Sequence, residues 1–160
     1  ESGAALFKCN GGSGMNAVVF SLNGQLFGVD ATQVIQLIKY KKSEKKETLD
    51  FIEGVADYRE SPLPLIDMAN KFGLGNFKES KKVKVLVSQI EDLMVGFIVD
   101  DVKQIMKFSD EDIRPTPLMV NSSAGSYIRK VCMKDNMLIS IIDLERVLSD
   151  DEINELKTAI

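Results

Sequence analysis

The chain contains no histidine and no tryptophan in its 160 residues. Without histidine there is no Ser-His-Asp or Cys-His relay, no imidazole metal cage and no phosphohistidine. Cysteine is nearly as scarce. Cys9 and Cys132 are too few for a disulfide framework or a four-thiolate zinc site. Cys132 ends a run of strand-like residues and reads as a buried thiol that packs as a small hydrophobe. Such usage suits a reducing compartment, so a cytoplasmic location is expected. Long apolar runs are missing too. The most obvious one, residues 94–99, falls far short of the ~20 residues a membrane helix needs, so no direct membrane insertion is expected. Positive charge is not in excess either. A formal net charge of −4 and a pI near 5.0 argue against a nucleic-acid binder, which needs a dense Lys/Arg face.

What is present describes a globular domain. Hydrophobic residues make up 44% and charged residues 28%, and the mean hydropathy is −0.02. A chain of this size buries roughly 70% of its unfolded surface, enough for a core without staples. Residues 1–14 end in Gly11-Gly12-Ser13-Gly14, a flexible linker composition ahead of Met15, and read as an appended leader to a body spanning 15–160. This glycine run is no phosphate loop, because it lacks the Gly-Lys-Ser/Thr ending and a preceding strand.

The body reads mainly as strands. Two apolar-rich runs, 17–22 and 25–30, flank Asn23-Gly24, the strongest short hairpin signal, since both residues tolerate φ > 0. A second hairpin is expected from 82–88 to 93–99 across 89–92. A third joins 126–133 to 137–142, turning at Lys134-Asp135-Asn136. The clearest helix signal is Ser149-Asp150-Asp151-Glu152, with capping-box spacing ahead of Ile153 and Leu156. The chain also repeats itself. A shift of 68 residues lays Gly28, Val34, Gln36, Leu37, Lys39 and Tyr40 on Gly96, Val102, Gln104, Ile105, Lys107 and Phe108 without a gap. A second echo pairs Leu65-Ile66-Asp67-Met68 with Ile141-Ile142-Asp143-Leu144: a buried strand ending at an Asp that caps a short helix. Two similar β-rich halves are expected.

Candidate chemistry is thin. Asp100-Asp101 lies at a strand end and reads as a turn, and Asp110, Glu111 and Asp112 read as the first turn of a short helix. Neighbouring carboxylates seldom face each other across a site as acid–base chemistry needs, and no third metal ligand stands near. No cofactor is expected. Lys39, Lys41, Lys42, Lys45 and Lys46, interrupted by Glu44 and Glu47, read as a solvated loop. Arg59, between two apolar strands, is either a solvated hairpin tip or a forked donor to carboxylate or backbone oxygens.

Several motifs together resemble one family. Phe51-Ile52, Gly54-Val55, Arg59, Pro64 and Asp67 keep the spacing of the signature of the CheW bacterial chemotaxis coupling proteins. Further matches follow in order: 26–30 with Val34, 95–100 with Val102, Ile113-Arg114-Pro115 with Pro117, and 137–139 leading to Asp143-Leu144-Glu145. The resemblance covers essentially all of the body. It implies two intertwined five-stranded SH3-like β-barrels with short helices and a C-terminal helix, and a non-enzymatic adaptor. Such an adaptor bridges the histidine kinase CheA, through its regulatory domain, to the cytoplasmic tips of chemoreceptors in receptor arrays. By the same resemblance Val34, Gln36 and Arg59 border the receptor groove, Val34 as apolar anchor and Gln36 and Arg59 as polar contacts. Gly96, Val102 and Ile105 belong to the kinase side. An alternative within the same fold is the CheW-like half of a larger coupling protein of the CheV type. The chain departs from the family pattern in having Asp57-Tyr58-Arg59-Glu60 where Asn-Leu-Arg-Gly is usual. Leu49-Asp50 stands in place of Thr-Pro, and Gln36 in place of a frequent Glu.

Overall fold

The computed structural model describes residues 14–41, 52–114 and 128–159. Cys9, Lys42, Lys45, Lys46, Leu49, Asp50, Phe51, Pro115 and Pro117, with most of the 1–14 leader, lie outside the described residues. The first half runs β1 (Gly14–Leu22), β2 (Gln25–Asp30), a 3-10 turn (Ala31–Gln33), β3 (Gln36–Lys39), β4 (Ile52–Tyr58), β5 (Ser61–Asp67) and the short helix α1 (Met68–Lys71). The second runs β6 (Lys84–Ile90), β7 (Leu93–Val99), β8 (Asp101–Ser109), a 3-10 turn (Asp110–Asp112), β9 (Ile113–Arg114), β10 (Ile128–Lys134), β11 (Met137–Ile142), a 3-10 turn (Leu144–Arg146) and α2 (Asp150–Ala159).

The strands form two sheets, ordered β8-β1-β2-β11-β10-β9 and β3-β6-β7-β5-β4. Each sheet takes a hairpin from one half and its remaining strands from the other: β1–β2 joins β8, β9, β10 and β11, while β6–β7 joins β3, β4 and β5. The halves are therefore interlocked, as the family resemblance implies. The repeat extends to register. Ile141 lies opposite Gly28 and Leu65 opposite Gly96 in the two parallel pairings. Even the bulges recur, between Ile52 and Gly54 on β4 and between Ile128 and Lys130 on β10. One sheet has the expected five strands, and the other gains the two-residue β9 as a sixth.

Exchange explains why β1 and β6 are continuous apolar runs rather than alternating ones, since both faces are covered. Ala17 and Val19 face Met106, Phe108, Cys132, Ile139 and Ile141 inside the six-stranded sheet. Val87 and Val85 face Leu63, Leu65 and Ile98 inside the five-stranded one. The opposite faces, including Phe20, Leu22, Leu86 and Ile90, meet in a third and largest core between the sheets, which α2 closes with Ile153 and Leu156. Fully burying one such side chain is worth about 1.5–3 kcal/mol, so this shared core holds the halves together.

The edges of the five-stranded sheet meet. Tyr40 Oη donates to Glu53 Oε2 at 3.0 Å and Tyr58 Oη donates to Gln36 Oε1 at 2.5 Å, tying β3 to β4 at both ends. In the other sheet Lys134 Nζ donates to the Lys107 carbonyl and ties β10 to β8. Side-chain bonds across each seam agree with sheets curled toward a small barrel, while β3, β4, β8 and β9 remain the ends of their ladders.

Local expectations fare unevenly. The Asn23-Gly24 turn is present, with φ of 50° and 84°. The second hairpin turns only at Glu91-Asp92, because Ile90 is buried and pairs with Leu93, which carries the strand past Gln89. The third turns at Asp135-Asn136, with Lys134 still paired to Met137. Asp67 and Asp143 cap their helical turns, accepting from the backbone N–H of Asn70 and Glu145. The α2 capping box is closed in both directions: Glu152 N donates to Ser149 Oγ and Ser149 N to Glu152 Oε1. Asp100 accepts from Asn23 N at 2.7 Å and fastens the first hairpin's turn to the end of β7.

Candidate functional site

The chain from Val34 to Leu37 and the β4–β5 turn form one corner of the five-stranded sheet. Val34 leaves the 3-10 turn with its N–H bonded to the Ala31 carbonyl, and its half-buried side chain packs on the shared core. Gln36 opens β3 opposite Val87. Its Oε1 accepts two hydrogen bonds, from Tyr58 Oη and from Arg59 Nη2 at 3.2 Å. Arg59 also lies over the Tyr58 ring, its Cζ 5.0 Å from the centroid. A cation over an aromatic face is attracted by the ring quadrupole. The guanidinium is thus held along one edge while its other donors face outward, ready for a carboxylate or carbonyl.

Backbone strain marks the same spot. Arg59 and Glu60 both occupy the left-handed region, at φ 51° and 66°. The sharp two-residue turn demands it, and residues with a Cβ adopt it at a cost of roughly 1–2 kcal/mol each. Asp57 and Glu60 are exposed and make no ion pair with a described residue. Apolar surface flanks the corner, with Ile35 47% and Leu37 38% exposed.

Of the residues expected on the receptor side, Gln36 and Arg59 touch, and Val34 lies two positions before Gln36. The kinase-side set is not brought together. Val102 is half-buried against the shared core, and Ile105 is 63% exposed on edge strand β8. Gly96 sits in β7 of the other sheet, buried, where an added Cβ would meet Val85 Cγ1 at 2.7 Å and Leu65 Cδ2 at 2.9 Å. It offers a partner no side chain, because its place is to let the core close. Sequence reasoning missed Tyr58, Ile35 and Leu37. An aromatic residue directly before an Arg at a turn is a cue for Tyr58. Ile35 and Leu37 gave none, since outward apolar residues at and just before an edge strand look like core ones.

Nothing in the corner points to a reaction. Among the described residues no three His, Cys, Asp or Glu side chains gather as a metal site. Burial raises the Cys132 thiol above its usual pKa, keeping it protonated and unreactive. Burial also raises Asp67, against the pull of its bonds from the Asn70 and Phe77 N–H groups, and those bonds mark it as a cap. The Tyr40 phenol is pushed well above its ordinary value by burial and by the Glu53 carboxylate it bonds.

The CheW-like domain model matches residues 16–152. The chain belongs to the CheW-like family. Relatives include the chemotaxis protein CheW of Klebsiella aerogenes, 27% identical over 140 residues covering 87% of this chain and 84% of that protein. The Bacillus subtilis CheW is 25% identical, with 87% and 90% covered. Among solved structures, the scaffolding protein TtCheW from Thermoanaerobacter tengcongensis superposes with a TM-score of 0.76 at 28% identity, covering 86% of this chain and 90% of that one. These CheW-like proteins are named for chemotaxis and scaffolding.

Proposed function

We propose that the protein is a chemotaxis adaptor that joins the regulatory domain of the histidine kinase CheA to the cytoplasmic tip of a chemoreceptor. The family match over residues 16–152 supports the adaptor role. The observation that carries the receptor assignment is the corner at Arg59: a guanidinium held on one edge by Gln36 and Tyr58, open on the other, beside exposed Ile35 and Leu37. Helix-in-groove recognition uses an apolar strip with a few polar groups that fix register, and Val34 to Leu37 with Arg59 has that composition. On the other sheet, Ile105 on β8, with half-buried Val102 earlier on the same strand, is the kinase-facing surface in this reading, and buried Gly96, which packs inside the five-stranded sheet, takes no part in it. A transient signalling contact of about 1,200 Å² or less is expected, and association in the micromolar range is the separate expectation for it. Purified protein should pull down both the kinase regulatory domain and a receptor-tip helical hairpin and should turn over no nucleotide. ATP hydrolysis that follows the protein through purification would contradict the adaptor reading.

A second reading keeps the fold and changes the context. The chemotaxis protein CheV3 of Helicobacter pylori is 27% identical over 135 residues that make up 81% of this chain but 43% of that protein. A CheW-like part of a longer coupling protein would bind the same two partners, and the reading frame beyond Ile160 distinguishes the two.

A further inference from the structure

Gln33 ends the 3-10 turn immediately before the Val34 strip, and all of its polar groups beyond the turn reach across the molecule. Its Nε2 donates to Asp143 Oδ1 at 2.9 Å and its Oε1 accepts from Leu144 N at 3.2 Å, both in the second half. Its carbonyl accepts from the buried Ser88 Oγ of β6 at 2.6 Å. Two residues on, Ile35 N donates to the Val87 carbonyl at 2.7 Å and starts the β3–β6 ladder. The chain that presents Val34 and Gln36 is therefore pinned to β6 on one side and to the turn after β11 on the other.

The repeat makes this informative. Under the shift of 68 residues Gln33 corresponds to Asp101, whose side chain pairs with Lys103 of its own strand while its backbone pairs with Ser21 of β1. The β8 counterpart of the Val34 strip is held by its ladder to β1, without a side-chain clasp of this kind at Asp101. A side-chain amide with both ends bonded at a half-buried place fixes geometry, since either end left unpaired there is unfavourable.

We infer that Gln33 is a positioning residue for receptor recognition: it fastens the Val34–Gln36 strip to the second half and so sets the angle at which the strip meets a receptor helix. This rests on the receptor assignment proposed above. Gln33 touches no partner itself, and the kinase surface on β8 does not depend on it.

The test uses the full chain and Gln33→Glu, which keeps the shape. The introduced carboxyl faces Asp143, with Arg146 Nε at 3.6 Å from the other Asp143 oxygen and Asp30 capping the same turn. Two carboxylates in contact repel when both are ionised but share a proton at lower pH, where a hydrogen bond to Asp143 returns. Relative to wild type at the same pH, affinity for a receptor-tip helical hairpin should fall about tenfold at pH 7.5 and recover to within about threefold at pH 5.5. Affinity for the CheA regulatory domain should match wild type at both. Amide exchange at Ile35 and Leu37 should rise in the variant at pH 7.5 alone. Equal losses for both partners, or receptor affinity and strip exchange both unchanged, would overturn the inference. Exchange decides whether Gln33 pins the strip without any partner present. Wild type that binds the kinase domain but no receptor hairpin would defeat the receptor assignment instead.

Discussion

The two halves share strand order, parallel register and bulge positions, yet they finish their sheets differently. The first half closes its seam with polar clasps. Tyr40 bonds Glu53 at one end, and Tyr58 and Arg59 bond Gln36 at the other. At the place of Tyr40 the second half has buried Phe108, and at the place of Gln36 it has Gln104, exposed on β8 without the tyrosine and arginine. Its seam bond runs from a lysine to a backbone carbonyl. The outcome is one corner that is polar, preorganised and strained, and one edge led by a bare Ile105. Duplicated scaffolds keep what packing demands. They diverge where solvent or a partner decides, and that difference is the physical basis for assigning the halves to different partners.

The sharpest way to break the comparison lies in the paired glycines. A Cβ on Gly96 would sit 2.7 Å from Val85 and 2.9 Å from Leu65, whereas on Gly28 the nearest atom is the Ile141 Cδ1 terminus at 3.0 Å. Overpacking a tight core costs about 1–3 kcal/mol. Gly96→Ala should therefore destabilise by roughly 2 kcal/mol and Gly28→Ala by about 1 kcal/mol or less, read from urea unfolding. Equal losses would mean that the two cores are equally tight.

Much of this architecture was legible in the sequence. The 68-residue repeat, Asn23-Gly24 and the Ser149/Glu152 capping box depend on local geometry and appear as spacing. The interlocking came from family resemblance, because nothing in a strand's composition says which half it pairs with. The candidate site rests on resemblance more than on spacing. Arg59 and Gln36 stood out by resemblance, but Tyr58 and Gln33 act through contacts with partners up to 111 residues away, and such contacts leave no periodicity. Gly96 is buried against Val85 and Leu65, and a glycine that serves packing and one that shapes a surface look alike in one dimension.

A smaller effect tests the seam. Tyr40→Phe converts the first half's clasp to the residue found at Phe108 and removes the Glu53 carboxylate's donor, costing about 1 kcal/mol. Because the folded state holds the Tyr40 proton more tightly than the unfolded one, folding retains a proton above the ordinary tyrosine pKa of 10.0. Stability from this group is present below that value and is lost as pH rises beyond it. The gap between wild type and Tyr40→Phe in thermal unfolding should thus narrow above about pH 10. A gap that stays constant would show that the bond is not formed in solution.

The smallest effect concerns strain. Glu60→Gly relieves a left-handed backbone at an exposed residue with no ion pair among the described residues and should raise stability by roughly 0.5 kcal/mol, the relief being partly offset by the entropy glycine adds to the unfolded chain. A loss of stability in calorimetry would mean that Glu60 makes a contact in solution beyond those of the described residues.

The most direct test measures both partners against one variant from each half. Arg59→Ala should weaken binding to the receptor-tip hairpin about 30-fold, the scale of a hot-spot arginine, with CheA regulatory-domain affinity and melting temperature near wild type. Ile105→Arg should do the reverse. If each variant damages both interactions equally, or Arg59→Ala lowers the melting temperature while both bindings fall together, the two halves do not serve separate partners and the corner at Arg59 is scaffold rather than receptor site.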